Sequence, residues 1–151
     1  MKIVLGSDHA GYQLKRLIID HLVKQGIECE DFGAPHGVDA ASYVPYGTAV
    51  ARAMQAGKAD FGIVVCGTGL GISMTVNKFK GIRGALCTNE YMARMSRQHN
   101  NANVLALGAR VVGSALAFAI VDAFLAEPFE TGGRHQARVN EIIATENENF
   151  K

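Results

Sequence analysis

The sequence predicts an α/β protein, a three-layer α/β/α sandwich built on a five-stranded parallel sheet. Three observations lead there. Five short apolar segments recur along the chain, and stretches of helical spacing separate them, the pattern of parallel strands joined by crossover helices. The run Phe61-Gly62-Ile63-Val64-Val65-Cys66 is apolar and β-branched almost throughout, as a strand covered on both faces must be. The 17 glycines fall at turns between these segments and not in a low-complexity tract.

Taken in order, Lys2–Gly6 is an apolar first strand, and Ser7-Asp8-His9-Ala10-Gly11 is the turn that leaves it. Tyr12–Gln25 carries Leu14, Leu17, Ile18, His21 and Leu22 at helical spacing, with Gly26 as its C-terminal stop. Ile27–Phe32 reads as a second strand and Gly33–Val44 as a loop of small residues and turn formers. Pro45 suits the first turn of a helix that runs to about Gln55 and ends at Gly57. After the Phe61–Cys66 strand, Gly67, Gly69 and Gly71 lead into the helical spacing of Ile72–Phe79. Gly81–Cys87 is a fourth strand, Asn89–His99 a helix, and Asn103–Leu107 a fifth strand with Gly108-Ala109-Arg110 as its exit. Ser114–Leu125 is an apolar helix with a serine placed to cap it. Glu127–Gly133 is a linker, and a polar helix covers Arg134 to Glu148.

A chain of 151 residues with this pattern is one domain, residues 1–151, in a Rossmann-like, flavodoxin-like strand order 2-1-3-4-5. Ligands in such sheets bind at the carboxyl ends of the strands, where the order reverses between the first and third. That rule sets Asp8-His9 beside the turn after Cys66.

Composition narrows the function. A formal net charge of +1 gives no global field for nucleic acid or an anionic membrane. Cys29, Cys66 and Cys87 are an odd, widely spaced set, which argues against a disulfide framework or a zinc site and for a reducing compartment. The apolar start Met1–Gly6 is too short for a secretory signal, and no apolar run approaches the ~20 residues of a membrane helix. A cytoplasmic location is expected.

The candidate chemistry lies in four places. Glycines 67, 69 and 71 let backbone amides approach an anion or oxyanion, and Cys66 stands at the mouth of that turn as a base or nucleophile. A small buried hydrophobe is the plainer reading of the same cysteine. Asp8 and His9 offer a sugar-hydroxyl contact and a phosphate contact, or a helix cap and a half-exposed ring. His99-Asn100 ends a helix, where the dipole alone favours a cationic histidine, yet a histidine also moves protons near neutral pH. Arg134 and Arg138 share a helix face behind Gly132-Gly133, next to His135, as a phosphate clamp or as an ordinary solvated face. Arg110 adds positive charge at the exit of the fifth strand. No His/Cys/Asp/Glu set has metal-ligand spacing, so no metal and no cofactor are expected. Together these groups suit proton transfer on a small phosphorylated polyol.

Gly6-Ser7-Asp8-His9-Ala10-Gly11, Cys66-Gly67-Thr68-Gly69-Leu70-Gly71-Ile72-Ser73, Asn77-Lys78, Gly81-Ile82-Arg83, Ser96-Arg97-Gln98-His99-Asn100 and Gly132-Gly133-Arg134-His135-Gln136-Ala137-Arg138-Val139 occur in order over nearly the whole length. With them the chain resembles the ribose-5-phosphate isomerase B family, whose wider group includes galactose-6-phosphate and allose-6-phosphate isomerases. The resemblance implies Cys66 as proton-abstracting base, His99 as the acid/base that opens the sugar ring, and Gly67, Thr68, Gly69, Leu70 and Gly71 as the loop that stabilises an enediolate. It implies substrate contacts at Asp8, His9, Asn100, Arg110, Arg134 and Arg138. Ser73 stands where some branches carry a carboxylate, which fits the cysteine branch. It also implies a homodimer or homotetramer with sites shared across the interface, and a C-terminal helix packed on a partner subunit. The order Tyr43-Val44-Pro45-Tyr46 departs from the family's Tyr-Pro loop, which bears on the choice of sugar. The function expected is metal-independent aldose–ketose isomerisation of ribose 5-phosphate and ribulose 5-phosphate. The alternatives are a six-carbon phosphate isomerase or a nucleotide- or flavin-binding module.

Overall fold

The structure, a computed structural model, describes residues 1–150. Five strands, β1 (Lys2–Ser7), β2 (Glu28–Asp31), β3 (Phe61–Cys66), β4 (Gly84–Leu86) and β5 (Val104–Gly108), form one sheet. Every neighbouring pair is parallel. Six helices accompany them: α1 (Tyr12–Lys24), α2 (Tyr43–Gln55), α3 (Leu70–Val76), α4 (Glu90–Gln98), α5 (Ser114–Ala126) and α6 (Arg134–Asn149).

The three-layer parallel class is as expected, but the strand order is β2-β1-β3-β5-β4 and not 2-1-3-4-5. The reason is burial. All five residues of β5 are buried, so it can lie between two neighbours. The three residues of β4 are only half-buried and suit an edge. β4 is also shorter than Gly81–Cys87. Asn77 donates to the Gly84 carbonyl and accepts from its amide (3.0 and 2.8 Å), and Asn103 Oδ1 accepts from the Arg83 amide at 2.8 Å. Side chains thus take the bonds that would have lengthened the strand.

Alternation along the central strands splits the core into two. Ile3, Leu5, Ile63, Val65, Leu105 and Leu107 face one layer, with Ile18 of α1 and Ile120 and Phe124 of α5. Val4, Val64, Cys66, Val104 and Ala106 face the other, with Val50 of α2 and Ile72 and Val76 of α3. Right-handed crossovers require this division, with α1, α4 and α5 on one face and α2 and α3 on the other.

Helix ends differ in detail from expectation. α2 begins at Tyr43, not Pro45, because the Ser42 side chain accepts from the Val44 amide at 3.2 Å and caps it. Ser114 is the first helical residue and not the cap; the extended Gly113 precedes it without any side-chain bond. Among the described residues no helix is long and apolar enough to cross a membrane.

Candidate active site

In a parallel sheet every strand ends at one edge, and every crossover helix starts there and ends at the other. That geometry divides the candidate residues into two groups.

The carboxyl-edge group is built where β1 and β3 end together. Ser7 pairs with Val65, so Asp8 and Cys66 leave adjacent strands at the same level. Asp8 is buried, and its Oδ1 accepts from the Gly11 amide at 3.0 Å, which fixes the turn into α1. His9 Nδ1 accepts from the Ala41 amide at 3.0 Å, so a neutral ring carries its proton on Nε2. Cys66 is 3 % exposed and belongs to the apolar layer through Val64 and Ile72, as the plainer reading had it. Its sulfur nevertheless faces the glycine turn, where the Gly69 amide donates to Sγ at 3.1 Å.

The turn Gly67–Gly71 is held from below and from the side. Gly69 adopts φ +80°, and a Cβ there would lie 2.9 Å from the Leu107 carbonyl carbon, so only glycine fits. Leu70 donates its amide to Thr68 Oγ1 at 3.2 Å. The amides of Gly71 and Ile72, in the first turn of α3, have no carbonyl four residues back inside the helix and remain free for a ligand. The carbonyls of Cys66 and Gly67 accept from the amides of Ala109 and Arg110, each at 2.9 Å. This lays the Arg110 guanidinium against the turn, Nη1 3.2 Å from where a Cβ on Gly67 would sit.

The amino-edge group is built around the end of α4. His99 caps that helix, five residues before β5 begins, and Asn100 follows in an exposed loop. Arg97, buried against Phe61 and Phe124, donates to Asn101 Oδ1 at 3.0 Å and to the Ala102 carbonyl at 2.6 Å, clamping the loop that carries both residues. The linker before α6 returns to this edge, where the Glu130 amide donates to the Gln98 carbonyl at 3.0 Å. Arg134 and Arg138, in the first turns of α6, are exposed beside His135. The His135 ring stacks on His99. Phe61 starts β3 and Cys66 ends it, so about 16 Å of strand separates the two groups within one chain.

The donor atoms of His99, Glu130 and His135 lie within 4.8 Å of one another, a cluster that spacing along the chain did not disclose. The two imidazole planes differ by only 9° with centroids 3.8 Å apart, so their in-plane lone pairs lie in separate, nearly parallel planes and do not converge on one ion. The cluster reads as a stack and not as a metal centre. Cys87 and Cys29 offer no thiolate: burial pushes Cys87 up to about 11, and burial with Glu28 beside it pushes Cys29 up.

The sequence placed Tyr43 only in a loop that bears on the choice of sugar and not against the glycine turn, yet its ring fills the space above Gly71, with Oη 2.6 Å from where a Cβ would be. The signal was available: α2 follows β2, so its first residue must stand at the carboxyl edge. His135 was noted only as the neighbour of Arg134.

A family model described as ribose/galactose isomerase matches residues 3–142. The chain belongs to that family, which sets aside the nucleotide- or flavin-binding alternative. Among its relatives, ribose-5-phosphate isomerase B of Escherichia coli (strain K12) is 50% identical over 145 residues, 96% of each chain. The structure of Clostridium thermocellum ribose-5-phosphate isomerase B matches with a TM-score of 0.95 at 55% identity, over 98% of this chain and 99% of that one. That of Mycoplasma genitalium ribose-5-phosphate isomerase B with bound ribulose-5-phosphate matches with a TM-score of 0.92 at 40% identity, over 98% of this chain and 97% of that one.

Proposed function

We propose that this protein is an aldose–ketose isomerase that interconverts ribose 5-phosphate and ribulose 5-phosphate, with Cys66 as the base. The observation that carries the reading is the Cys66 sulfur at the end of β3, bonded by the Gly69 amide, with the unpaired amides of Gly71 and Ile72 two and three residues further along the same turn. A carbon acid set down on this rim meets a proton acceptor and, beside it, donors for the oxygen that becomes negative.

The steps balance without an external electron acceptor. His99 moves the proton that opens the furanose to the free aldose. Cys66 takes the proton from C2, and the C2–H electron pair becomes the carbon–carbon double bond of an enediolate as negative charge moves onto the carbonyl oxygen. Proton exchange between O1 and O2 and return of a proton to C1 give the ketose. Asp8 and Asn100 hold sugar hydroxyls, and His9, Arg110, Arg134 and Arg138 hold the phosphate.

The working unit is a homodimer or homotetramer in which His99, Asn100, Arg134 and Arg138 of one copy complete the Cys66 rim of another. The opposite placement of the two groups in one chain supports this. So does α6, in which only His135 and Val139 are buried while Ile142 and Ile143 stay 47 % and 37 % exposed, an apolar face that a partner would cover. We place the protein in the cytoplasm, consistent with three free cysteines. The family description, which names galactose as well as ribose, keeps a six-carbon phosphate as second reading. Turnover of ribose 5-phosphate, allose 6-phosphate and galactose 6-phosphate tests the proposal. Preference for the pentose supports it, and preference for either hexose phosphate replaces it.

A further inference from the structure

The two imidazoles at the amino edge lie face to face. The ring centroids of His99 and His135 are 3.8 Å apart and their planes differ by 9°. His135 is 8 % exposed, whereas His99 is only half-buried at the C-terminal end of α4. The linker between α5 and α6 brings the start of α6 to this edge. Its Glu130 amide grips the Gln98 carbonyl at 3.0 Å, and its carboxylate Oε2 lies 3.4 Å from His135 Nε2.

We infer that His135, held by Glu130, is a positioning residue for His99, fixing the plane of the ring that opens the cyclic substrate. The inference rests on the ring-opening reading of His99. A hydrogen bond to His99 would fix its ring too, but would occupy a nitrogen that must carry the proton. A stacked partner restrains the plane and leaves both ring nitrogens open at the edge. Stacking of ordinary strength biases a side chain toward one rotamer by roughly three- to tenfold. The surroundings also keep the second ring neutral: burial first, then His99, Arg134 and Arg138, hold His135 below its usual range, and Glu130 only partly opposes them.

The test uses a property of the substrates. Ribose 5-phosphate closes to a furanose. Ribulose 5-phosphate cannot, because its O5 carries the phosphate, so exchange of its C1 proton with solvent deuterium needs the base and the glycine turn but no ring opening. Turnover of ribose 5-phosphate and deuterium wash-in at C1 of ribulose 5-phosphate are measured in the wild type, His99→Asn, His135→Ala, His135→Phe and Glu130→Gln. His135→Ala should lower kcat on ribose 5-phosphate by about three- to tenfold and leave wash-in within about twofold, and His135→Phe, which restores a flat ring, should recover most of the loss. Equal loss in both assays, or loss in neither, overturns the inference. If His135→Ala does not fold, Glu130→Gln, a change at an exposed residue, must show the same selectivity in weaker form, and its absence overturns the inference as well. His99→Asn separates the premises: if it abolishes wash-in as fully as turnover, the ring-opening reading itself fails.

Discussion

Cys66 ends β3 at the carboxyl edge of the sheet, and His99 ends α4 at the amino edge of the same sheet. On the proposed reading, a substrate that needs both meets them from two copies of the chain. Mixing Cys66→Ser with His99→Asn protomers, each inactive on ribose 5-phosphate, should restore activity. In randomly mixed dimers half the pairs are hybrid and each hybrid has one intact site, so about a quarter of the wild-type rate is expected. Activity no higher than that of either parent would assign both residues to one protomer's site.

Cys66→Ser by itself should retain the fold, since the smaller hydroxyl can still accept from the Gly69 amide. Solvent deuterium incorporation into the sugar phosphate should fall by about 100-fold or more, the usual size of a lost general base. Exchange near the wild-type rate would remove Cys66 as the base.

Gly71→Ala sets a methyl group where the Tyr43 ring now lies. Tyr43 is 37 % exposed and can swing outward, so the cost in stability should be about 1 kcal/mol, the low end for an inserted methyl group. The Michaelis constant should rise several-fold, because the ring that borders the turn has moved. A large fall in Tm with unchanged kinetics would show that the contact serves packing alone.

Lys15 is fully buried, with its ammonium 2.7 Å from Asp31 and 2.9 Å from the Ala34 carbonyl. Burial lowers its pKa, and Asp31 opposes that. Lys15→Met leaves the buried Ala34 carbonyl without a donor, while water can still reach the partly exposed Asp31. Stability should fall by about 1–3 kcal/mol, read from the midpoint of urea unfolding. An unchanged midpoint would mean that water replaces the ammonium at no cost.

His135 predicts a pH dependence. Its folded-state pKa lies below the unfolded value of 6.5, chiefly through burial and the positive neighbours. Between the two values the unfolded chain binds more protons, so stability rises with pH there. The contribution is whole above 6.5 and is lost as pH falls through the folded value. In melts from about pH 8 to about pH 5, the Tm of the wild type should fall faster below the unfolded value than that of His135→Phe. Parallel curves would show that His135 titrates alike in both states.

Local pattern was enough for most of the elements. The unbroken apolar run at Phe61–Cys66 and the glycines after it specified a central strand and its ligand turn, because burial on two faces and close backbone approach each demand particular residue types. Periodicity reports that a segment is buried but not which segment lies beside it. The exchange of β4 and β5 was therefore decided by the competition between a fully buried strand and a half-buried one for the interior position. The same limit explains the site. Asp8, His9 and Cys66 were placed together from the chain alone, since the reversal point of a parallel sheet follows from strand order at β1 and β3. The separation of His99 from Cys66, the ring of Tyr43 over Gly71 and the stack of His135 on His99 depend on where helices end in space. Only the packed tertiary structure, in which antiparallel crossover helices carry their last residues to the far edge of the sheet, fixes those positions.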